Sequence, residues 1–312
     1  MQRRQERVIA KGGIIGKPAG DRHARDRPFP NSTVGFTPAG NCATILSLMS
    51  KKHKEAVQKQ FGKTVEAFSK TATRDTPEIL AEKVESAKPK STDLTLDVAC
   101  GPGELVLGLA ARVSFARGID LTQEMLHRAQ EFQRERNITN AAFDRGEAEQ
   151  LPYPDHSFDL VTCQCSFHHM PKPELALREM VRVAKPDGRL MVIDPVAPES
   201  DAKFDLLNRI ESLRDPSHAS TLRLTTFLSM FDDLGLEITR QSLRRRERSF
   251  NKWMLRAGLE PKHKRYVEAR KLLEGSIAGD RAGFSPRIQG EDIIIVHNEG
   301  MFLLQRAAPS GD

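Results

Sequence analysis

The segment from Leu94 to Leu105, LTLDVACGPGEL, constrains the fold of this chain more than any other stretch. Its first half alternates apolar side chains as a short buried strand does, and its end opens a helix. Between them, Gly101 and Gly103 supply a tight turn with a bare backbone. A strand, a glycine turn and a helix in this order present unpaired helix N–H groups, so the segment predicts a ligand site.

The spacing of this turn argues against two common nucleotide-binding loops. A dinucleotide-binding turn would carry a third glycine at position 106, where this chain has Val106. A Walker-type phosphate loop would continue into Gly-Lys-Ser/Thr, which does not follow here. An acid, Asp97, precedes Gly101 by four residues. A purely structural left-handed turn is the alternative at this point.

Length and cysteine content set broad bounds on the protein. A chain of 312 residues is long enough for one large or two small domains. Hydrophobic residues make up 38% of it, enough for a buried core, and no uninterrupted apolar run approaches the length of a membrane span. Four cysteines do not make a disulfide framework in a chain of this length, which predicts a reduced, cytoplasmic setting.

The formal net charge of +6 is concentrated at the N-terminus. Residues 1–48 contain eight Lys/Arg and three Asp/Glu, a net charge of +5, which leaves +1 for residues 49–312. A nearly neutral body disfavours binding to a nucleic-acid backbone. Because residues 1–48 show no helix or strand period and are rich in Arg, Gly and Pro, we predict a disordered tail or a mis-assigned upstream stretch before a start at Met49.

Strand and helix patterns alternate over residues 93–243. The alternation predicts an α/β fold, a Rossmann-like, doubly wound, mostly parallel seven-stranded sheet with helices on both faces. Helices over 51–88 precede the sheet and either cover a substrate pocket or simply pack on it. Beyond this core we predict a cap insertion at 244–289, with one helix over 251–273, and a final antiparallel hairpin at 290–306. All these parts belong to one predicted domain, 49–312.

Further acidic residues stand where ligands bind in an open parallel sheet, beyond the carboxyl ends of the strands. Asp120 closes the second strand, and an acid there can accept two hydrogen bonds from a ribose diol. Glu147 follows the third strand and can accept one from an adenine amino group, while Ala148 leaves room for the ring. Together with Asp97 these residues favour an adenosine-containing ligand. The alternatives are that Asp120 is an ordinary surface residue capping the next helix and that Glu147 belongs to an ordinary acidic loop.

Six motifs occur in one order along the chain. They are Asp97–Gly103 (DVACGPG), Gly118–Asp120 (GID), Gly146–Pro152 (GEAEQLP), Ser157–Val161 (SFDLV), His168-His169 and Glu179–Gly188 (EMVRVAKPDG). The ensemble resembles the class I S-adenosylmethionine (SAM) methyltransferases of the type-11 group, which includes the UbiE-like ubiquinone/menaquinone C-methyltransferases. The resemblance covers about 57–243. Glu147 departs from the family, which usually has Asp there.

The resemblance implies SAM as the cofactor and a set of residues that bind it. These residues are Asp97, Ala99, Cys100, Gly101, Gly103, Asp120, Leu121, Glu147, Ala148 and Gln164. In the family the first acid and the glycine turn hold the methionine end of the cofactor, and the acid after the second strand holds the ribose. Leu121 would cover the adenine, and Gln164 would line the sulfonium side.

Two histidines, His168 and His169, follow the fourth strand near the expected reaction face. Either is a candidate general base for an acceptor that must lose a proton. The alternative is that they fix the start of the next helix. The nearby pair Cys163 and Cys165 lacks a second Cys or His pair at zinc-ligand spacing, so we predict buried free cysteines and no metal.

We therefore predict an enzyme that transfers the SAM methyl group to carbon or oxygen of a small molecule, with a quinone-like or aromatic acceptor implied by the resemblance. A non-catalytic subunit of the same fold is one alternative. An RNA methyltransferase is another, disfavoured by the nearly neutral body. Basic clusters at 244–248 and 262–265 predict a solvated face, an anionic substrate or a peripheral membrane contact. The segment 214–218 is a candidate substrate contact or a structural turn.

Overall fold

The computed structural model describes residues 51–70 and 75–307, all within the unit Ser47–Asp312. The tail predicted at 1–48 lies outside these described residues. Within them, no helix combines the length and the apolar character that a membrane crossing requires.

Eight strands of the described ranges form one sheet. They are β1 (Leu94–Val98), β2 (Phe115–Asp120), β3 (Ala141–Arg145), β4 (Phe158–Gln164), β5 (Ala184–Pro195), β6 (Leu236–Ser249), β7 (Arg287–Gln289) and β8 (Asp292–Arg306). Their order is β3-β2-β1-β4-β5-β8-β6, with the short β7 paired to β8. The first five strands are parallel, and β8 and β6 are antiparallel additions. The predicted α/β class is confirmed, although the prediction of seven strands missed β7.

Helices pack on both faces of this sheet. They are α1 (Lys51–Lys70), α2 (Pro77–Ser86), α3 (Glu104–Ala110), α4 (Gln123–Glu135), α5 (Pro173–Val183), α6 (Asp201–Arg214), α7 (Leu224–Asp232), α8 (Phe250–Leu255) and α9 (Lys264–Glu274). Because successive side chains of a strand point to opposite faces, β5 supplies two apolar layers. Leu190 and Val192 join the layer with α5 and α7, whereas Met191 and Ile193 join the layer with α3.

The last strand corrects the predicted C-terminal hairpin. Residues 292–306 form one continuous strand, which pairs with β6 from Ser249↔Ile294 to Leu236↔Arg306. Gly300 lies inside this strand and permits close packing, since a Cβ there would lie 2.8 Å from atoms of Val196 and Phe302. The hairpin turn lies earlier, at Gly290 (φ 60°), between β7 and β8.

The predicted cap also differs from the observed one. Strand β6 continues to Ser249, so the basic cluster 244–248 belongs to the sheet. The single helix predicted at 251–273 is two helices, α8 and α9, because the chain turns at Gly258 (φ 73°). Together with α6 they enclose a third apolar core around Trp253 and Phe284, packed on the first half of β8.

A buried ion network fastens the segment before α2 to the antiparallel strands. Lys83 Nζ lies 3.0 Å from Asp75 Oδ2 and 3.4 Å from Glu299 Oε1. Arg246 Nη1 lies 2.7 Å from Asp75 Oδ1 and 3.0 Å from Glu299 Oε2. Two acids and two bases therefore share one buried site. A further contact of α2 is apolar, since its Leu80 and Val84 pack on Gly108 of α3.

Candidate active site

The strand order reverses between β1 and β4, and a cavity opens beyond the carboxyl ends of these two strands. This is where ligands bind in open α/β sheets. Ala99 and Cys165, which follow β1 and β4, both have φ 55°, so the backbone leaves each strand in a conformation that few non-glycine residues adopt. Such strained positions cluster at ligand sites, and both residues line the cavity.

Asp120 ties two backbone segments of the site together. Its Oδ2 accepts a hydrogen bond from the N–H of Gly101 at 2.8 Å, and its Oδ1 accepts one from the N–H of Thr122 at 2.8 Å. Burial raises the pKa of this carboxyl, against the opposing effect of these hydrogen bonds. A carboxylate oxygen can accept more than one hydrogen bond. Asp120 can therefore hold the glycine turn and accept hydrogen bonds from a ligand diol at once.

Asp97 lies at the floor of the cavity, 3% exposed. Its Oδ1 accepts a hydrogen bond from the Thr162 hydroxyl at 2.6 Å. Burial, with a contribution from the charge of Asp120, raises the pKa of Asp97 to about 7 despite that hydrogen bond. A cationic group bound beside it would favour the ionised form and lower this pKa.

Nine of the ten predicted cofactor residues line this one cavity, and the exception is Gly103. Gly103 lies behind the turn with φ 77°, where a Cβ would approach ring atoms of Phe143 to 2.7 Å and the Cβ of Ala129 to 2.9 Å. The structure gives it a role in close packing behind the turn. Its contact with the cofactor stays a prediction.

Helix α1 covers the side of the cavity formed by the loops after β2 and β3. Lys54 Nζ forms an ion pair with Glu147, and Gln58 Nε2 donates a hydrogen bond to the carbonyl of Leu121 at 3.3 Å. Phe61 and Val57 of the same helix line the cavity. Both alternatives for the N-terminal helices apply: α1 covers the pocket, and α2 packs on α3 while its Leu80 also lines the pocket.

The end of β4 contributes an amide and buried thiols. Gln164 Nε2 donates to Asp75 Oδ2 at 3.3 Å, while its Oε1 is buried with no hydrogen-bond partner among the described residues. Cys100, Cys163 and Cys165 are free and buried, as predicted for the latter two. In the described ranges, no group of three or more His, Cys, Asp or Glu residues is placed to hold a metal ion.

His168 forms a buried hydrogen-bonded pair at the edge of the cavity. Its Nδ1 lies 2.7 Å from Oδ1 of Asp194, which is fully buried and also accepts the N–H of Phe167 at 3.1 Å. A carboxylate only accepts, so Nδ1 carries the hydrogen and Nε2 keeps a lone pair. The sequence identified the histidine but not Asp194, which lies near the end of a separate strand, β5.

His169 has different surroundings from His168. Its Nδ1–H donates to the carbonyl of Ser217 at 3.1 Å, and its ring packs edge-on against Phe61 at 4.9 Å between centroids. Burial, together with the neighbouring His168, lowers the pKa of His169 to about 3. A histidine with so low a pKa is a poor proton acceptor near neutral pH. His169 therefore joins the 214–218 segment to the cavity wall.

The cavity continues into a second region that sequence reasoning did not assemble. Its walls carry Glu211, Arg214, Asp215, Arg248, Trp253, Arg256 and His297. These residues come from α6 and the turn after it, β6, α8 and β8, which adjoin only in the folded chain. The basic cluster 244–248 offered a partial signal, since alternation along β6 turns Arg246 and Arg248 inward and Arg245 and Glu247 outward.

The residues of the first region fit SAM. Its ammonium, ribose hydroxyls and adenine amino group are all hydrogen-bond donors, and the site offers acceptors: Asp97, Asp120, Glu147 and the buried, unsatisfied Oε1 of Gln164. A cofactor with a pyrophosphate would place its negative charge against the same carboxylates. SAM, which is cationic and rich in hydrogen-bond donors, therefore matches these residues better than a cofactor with a pyrophosphate does.

Comparison with known proteins gives an independent result. A family model described as a methyltransferase domain matches residues 89–244, half of the chain. The uncharacterised methyltransferase YcgJ of Bacillus subtilis is 34% identical over 171 residues, which are 55% of this chain and 68% of YcgJ. The demethylmenaquinone methyltransferase of Lactobacillus johnsonii is 36% identical over 115 residues, 36% of this chain and 47% of that enzyme.

Solved structures agree with the sequence relatives. The crystal structure of YcgJ matches with a TM-score of 0.68 at 27% identity, covering 74% of this chain and 98% of YcgJ. A putative methyltransferase from Bacillus halodurans matches with a TM-score of 0.69 at 26% identity, covering 74% of this chain and all of that one. Since the family model, the relatives and the chemistry of the cavity agree, this chain belongs to the methyltransferase-domain family and is a SAM-dependent methyltransferase.

Proposed function

We propose that this enzyme transfers the methyl group of SAM to an oxygen or carbon atom of a small aromatic acceptor, with His168 as the general base. The observation that carries the proposal is that the His168–Asp194 pair lines the same cavity as the predicted cofactor residues. Bound SAM supplies an electrophilic methyl group on a good leaving group. The work left to the protein is alignment, exclusion of water and removal of one proton.

The cofactor would be held by the acceptors of the first cavity region. Asp97 and the backbone around Gly101 would hold the methionine end, and Asp120 would bind the ribose. Glu147 would recognise the adenine amino group after its ion pair with Lys54 rearranges. Gln164 Oε1, buried without a partner among the described residues, would face the charged centre.

His168 is suited to accept the proton that the acceptor loses. With its Nδ1–H held by Asp194, the imidazole presents Nε2 as the acceptor atom. The carboxylate stabilises the imidazolium that forms when Nε2 takes the proton. General-base catalysis of this kind contributes about 10²–10⁴ in rate. Asp194 acts through His168 and is a positioning residue.

Two observations support an aromatic acceptor. The relative from Lactobacillus johnsonii is named for methylation of demethylmenaquinone, a quinone. The cavity is also lined by aromatic side chains, Phe61 from α1 and Trp253 from α8. Aromatic rings pack favourably on such side chains.

Calorimetric titration of SAM and S-adenosylhomocysteine into the full chain tests the cofactor site. We expect micromolar binding, and a loss of about 1.5–3 kcal/mol in Asp120→Ala because a charged acceptor is removed. Asp205→Ala, an exposed acid on α6, is the charge-matched control and should bind as the parent does. No binding by the folded parent would remove the enzyme assignment and favour the non-catalytic subunit.

Methyl transfer from labelled SAM to a panel of phenols and quinols tests the base. We expect His168→Gln and Asp194→Asn to lower kcat by about 10²–10⁴ while cofactor affinity is unchanged. His127→Gln, an exposed histidine of α4, controls for the substitution itself. If His168→Gln transfers methyl groups at the parent rate, His168 is not the base.

A further inference from the structure

Two histidines that line the cavity each have a carboxylate beside one ring nitrogen. Nδ1 of His168 pairs with Asp194, whereas Nε2 of His297 lies 2.9 Å from Oε1 of Glu211. Against the effect of burial, the contact with His297 lowers the pKa of Glu211, so this side chain is ionised and only accepts. Nε2 of His297 therefore carries the hydrogen, and Nδ1 of the same ring keeps a lone pair.

Nδ1 of His297 is a buried acceptor that lacks a donor. The residue is 8% exposed, and its Nδ1 has no hydrogen-bond partner among the described residues. Burial lowers the pKa of His297 despite the contact with Glu211, so the ring is neutral near neutral pH and the lone pair stays available. A buried acceptor left unsatisfied costs free energy, and a donor on a ligand in the cavity removes that cost.

The packing around His297 fixes the position of its ring. The ring centroid lies 5.3 Å from that of Trp253 and 5.1 Å from that of Phe284, with interplanar angles of 57° and 61°. On the same face of β8, its neighbours are Ile295 of the third apolar core and Glu299 of the buried ion network. An acceptor atom held by packing on all these sides can select a ligand group by position.

His168 and His297 come from different parts of the fold. His168 follows β4, four residues after the predicted cofactor residue Gln164, whereas His297 belongs to the antiparallel strand β8. Trp253, which packs against His297, adds an aromatic wall to the second region of the cavity. Since the methyl group is transferred beside the cofactor residues, His297 is assigned to a part of the acceptor that is not methylated.

We propose that the methyl acceptor carries a second hydroxyl group, remote from the methylated atom, which donates a hydrogen bond to Nδ1 of His297. A neutral hydroxyl suits this buried atom because a charged donor costs far more to desolvate. His297 is then a specificity-determining residue, and Glu211, which fixes its tautomer, is a positioning residue. The inference rests on the proposed function and narrows its substrate class to dihydroxylated aromatic compounds, whose first hydroxyl faces His168.

The test is a calorimetric titration of the full chain, saturated with S-adenosylhomocysteine, with matched probes. Three diols of increasing hydroxyl separation are used: resorcinol, 2,6-dihydroxynaphthalene and 4,4′-dihydroxybiphenyl. Each is compared with its monomethyl ether, which keeps the oxygen but loses the donor, and with the phenol that lacks the second oxygen. We expect at least one diol to bind with a Kd below about 1 mM and about tenfold more tightly than both analogues. Binding of no diol, or equal binding of the diols and their analogues, would overturn the proposal.

One substitution separates the two ring nitrogens of His297. His297→Gln keeps an amide N–H donor for Glu211 but removes Nδ1, so the preference for the diol should fall from about tenfold to about twofold or less. His127→Gln, at an exposed histidine of α4, should keep the preference of the parent. Unchanged affinity of His297→Gln for S-adenosylhomocysteine shows that the variant is folded. A folded His297→Gln with the full preference would contradict the proposal.

The titrations separate this inference from the proposed function on which it rests. Failure of the parent to bind S-adenosylhomocysteine counts against the proposed function. Binding of S-adenosylhomocysteine without a preference for any diol counts against the role of His297 alone. If His297→Gln does not fold, the comparison of each diol with its monomethyl ether in the parent still decides the question.

Discussion

The first and the second region of the cavity are built in opposite ways. The acids Asp97, Asp120 and Glu147 of the first region lie at or just after the ends of the consecutive strands β1, β2 and β3. The second region draws on residues 211–297, from two helices and two antiparallel strands. One region is a set of local loops and the other is an assembly of distant side chains.

This difference separates the part of the site that binds the shared cofactor from the part that varies between enzymes of this fold. A cofactor that all family members share can be bound by loops whose shape follows from short motifs. An acceptor pocket is built by elements added to the common core, so its charge and shape vary independently of the fold.

The largest expected effect tests whether the two regions are independent. Arg246→Ala should lower the free energy of unfolding by about 3–5 kcal/mol, because Asp75 and Glu299 would lose a cation that they share in a buried site. Since Gln164 donates to Asp75, we also expect weaker cofactor binding. Urea unfolding and calorimetry measure the two effects.

The exposed neighbour of Arg246 on the same strand provides the control for this experiment. Arg245→Ala, on the outer face of β6, should change stability by no more than about 0.5 kcal/mol. A similar small change in Arg246→Ala would show that the buried network does not hold the two regions together.

A smaller effect is expected from the packing behind the cofactor turn. Gly103→Ala should cost about 2–4 kcal/mol of stability, because its positive φ is strained for alanine and the new Cβ would collide with Phe143 and Ala129. Gly235→Ala, with φ 61° and open space around it, isolates the backbone strain alone. Equal losses in the two variants, measured by urea unfolding, would show that the close packing contributes nothing.

The smallest expected effect is the pH dependence of SAM affinity, which comes from Asp97 in the first region of the cavity. With its pKa raised to about 7, Asp97 is protonated in the free protein below that pH and must release its proton to face a cationic cofactor. SAM affinity should therefore fall as pH drops from 8 to 5.5, by up to about 1.4 kcal/mol per pH unit. Asp97→Asn should bind weakly at all these pH values with a flatter profile. A parent profile without slope would contradict this role.

The titration of Asp97 also changes the stability of the folded protein, in the direction opposite to its effect on SAM affinity. A carboxyl with a raised pKa in the folded state binds more protons there than in the unfolded chain. Its contribution to stability therefore decreases as pH rises from about 4 to about 7 in the absence of cofactor. Conditions that favour cofactor binding are thus those in which the empty site is least stable.

The sequence alone determined the parallel core, because buried strands, glycine turns and amphipathic helices are local patterns with fixed periods. It also placed Asp97, Asp120, Glu147, Gln164 and His168 at strand ends that the fold brings to one edge. Parallel topology makes this convergence follow from sequence order. Gly103 is the exception, since a glycine needed for close packing and one needed for ligand approach look alike in sequence.

Only the tertiary structure decided the rest of the site. The pairing of β6 with β8 extends both strands beyond the bounds predicted from the sequence. It also places the side chains of the basic cluster 244–248 alternately on the two faces of the sheet. Asp194 met His168, and His297 met Glu211 and Trp253, through contacts between elements far apart in the chain. Such contacts depend on how added strands and helices pack, and packing of this kind leaves no period or spacing in the sequence.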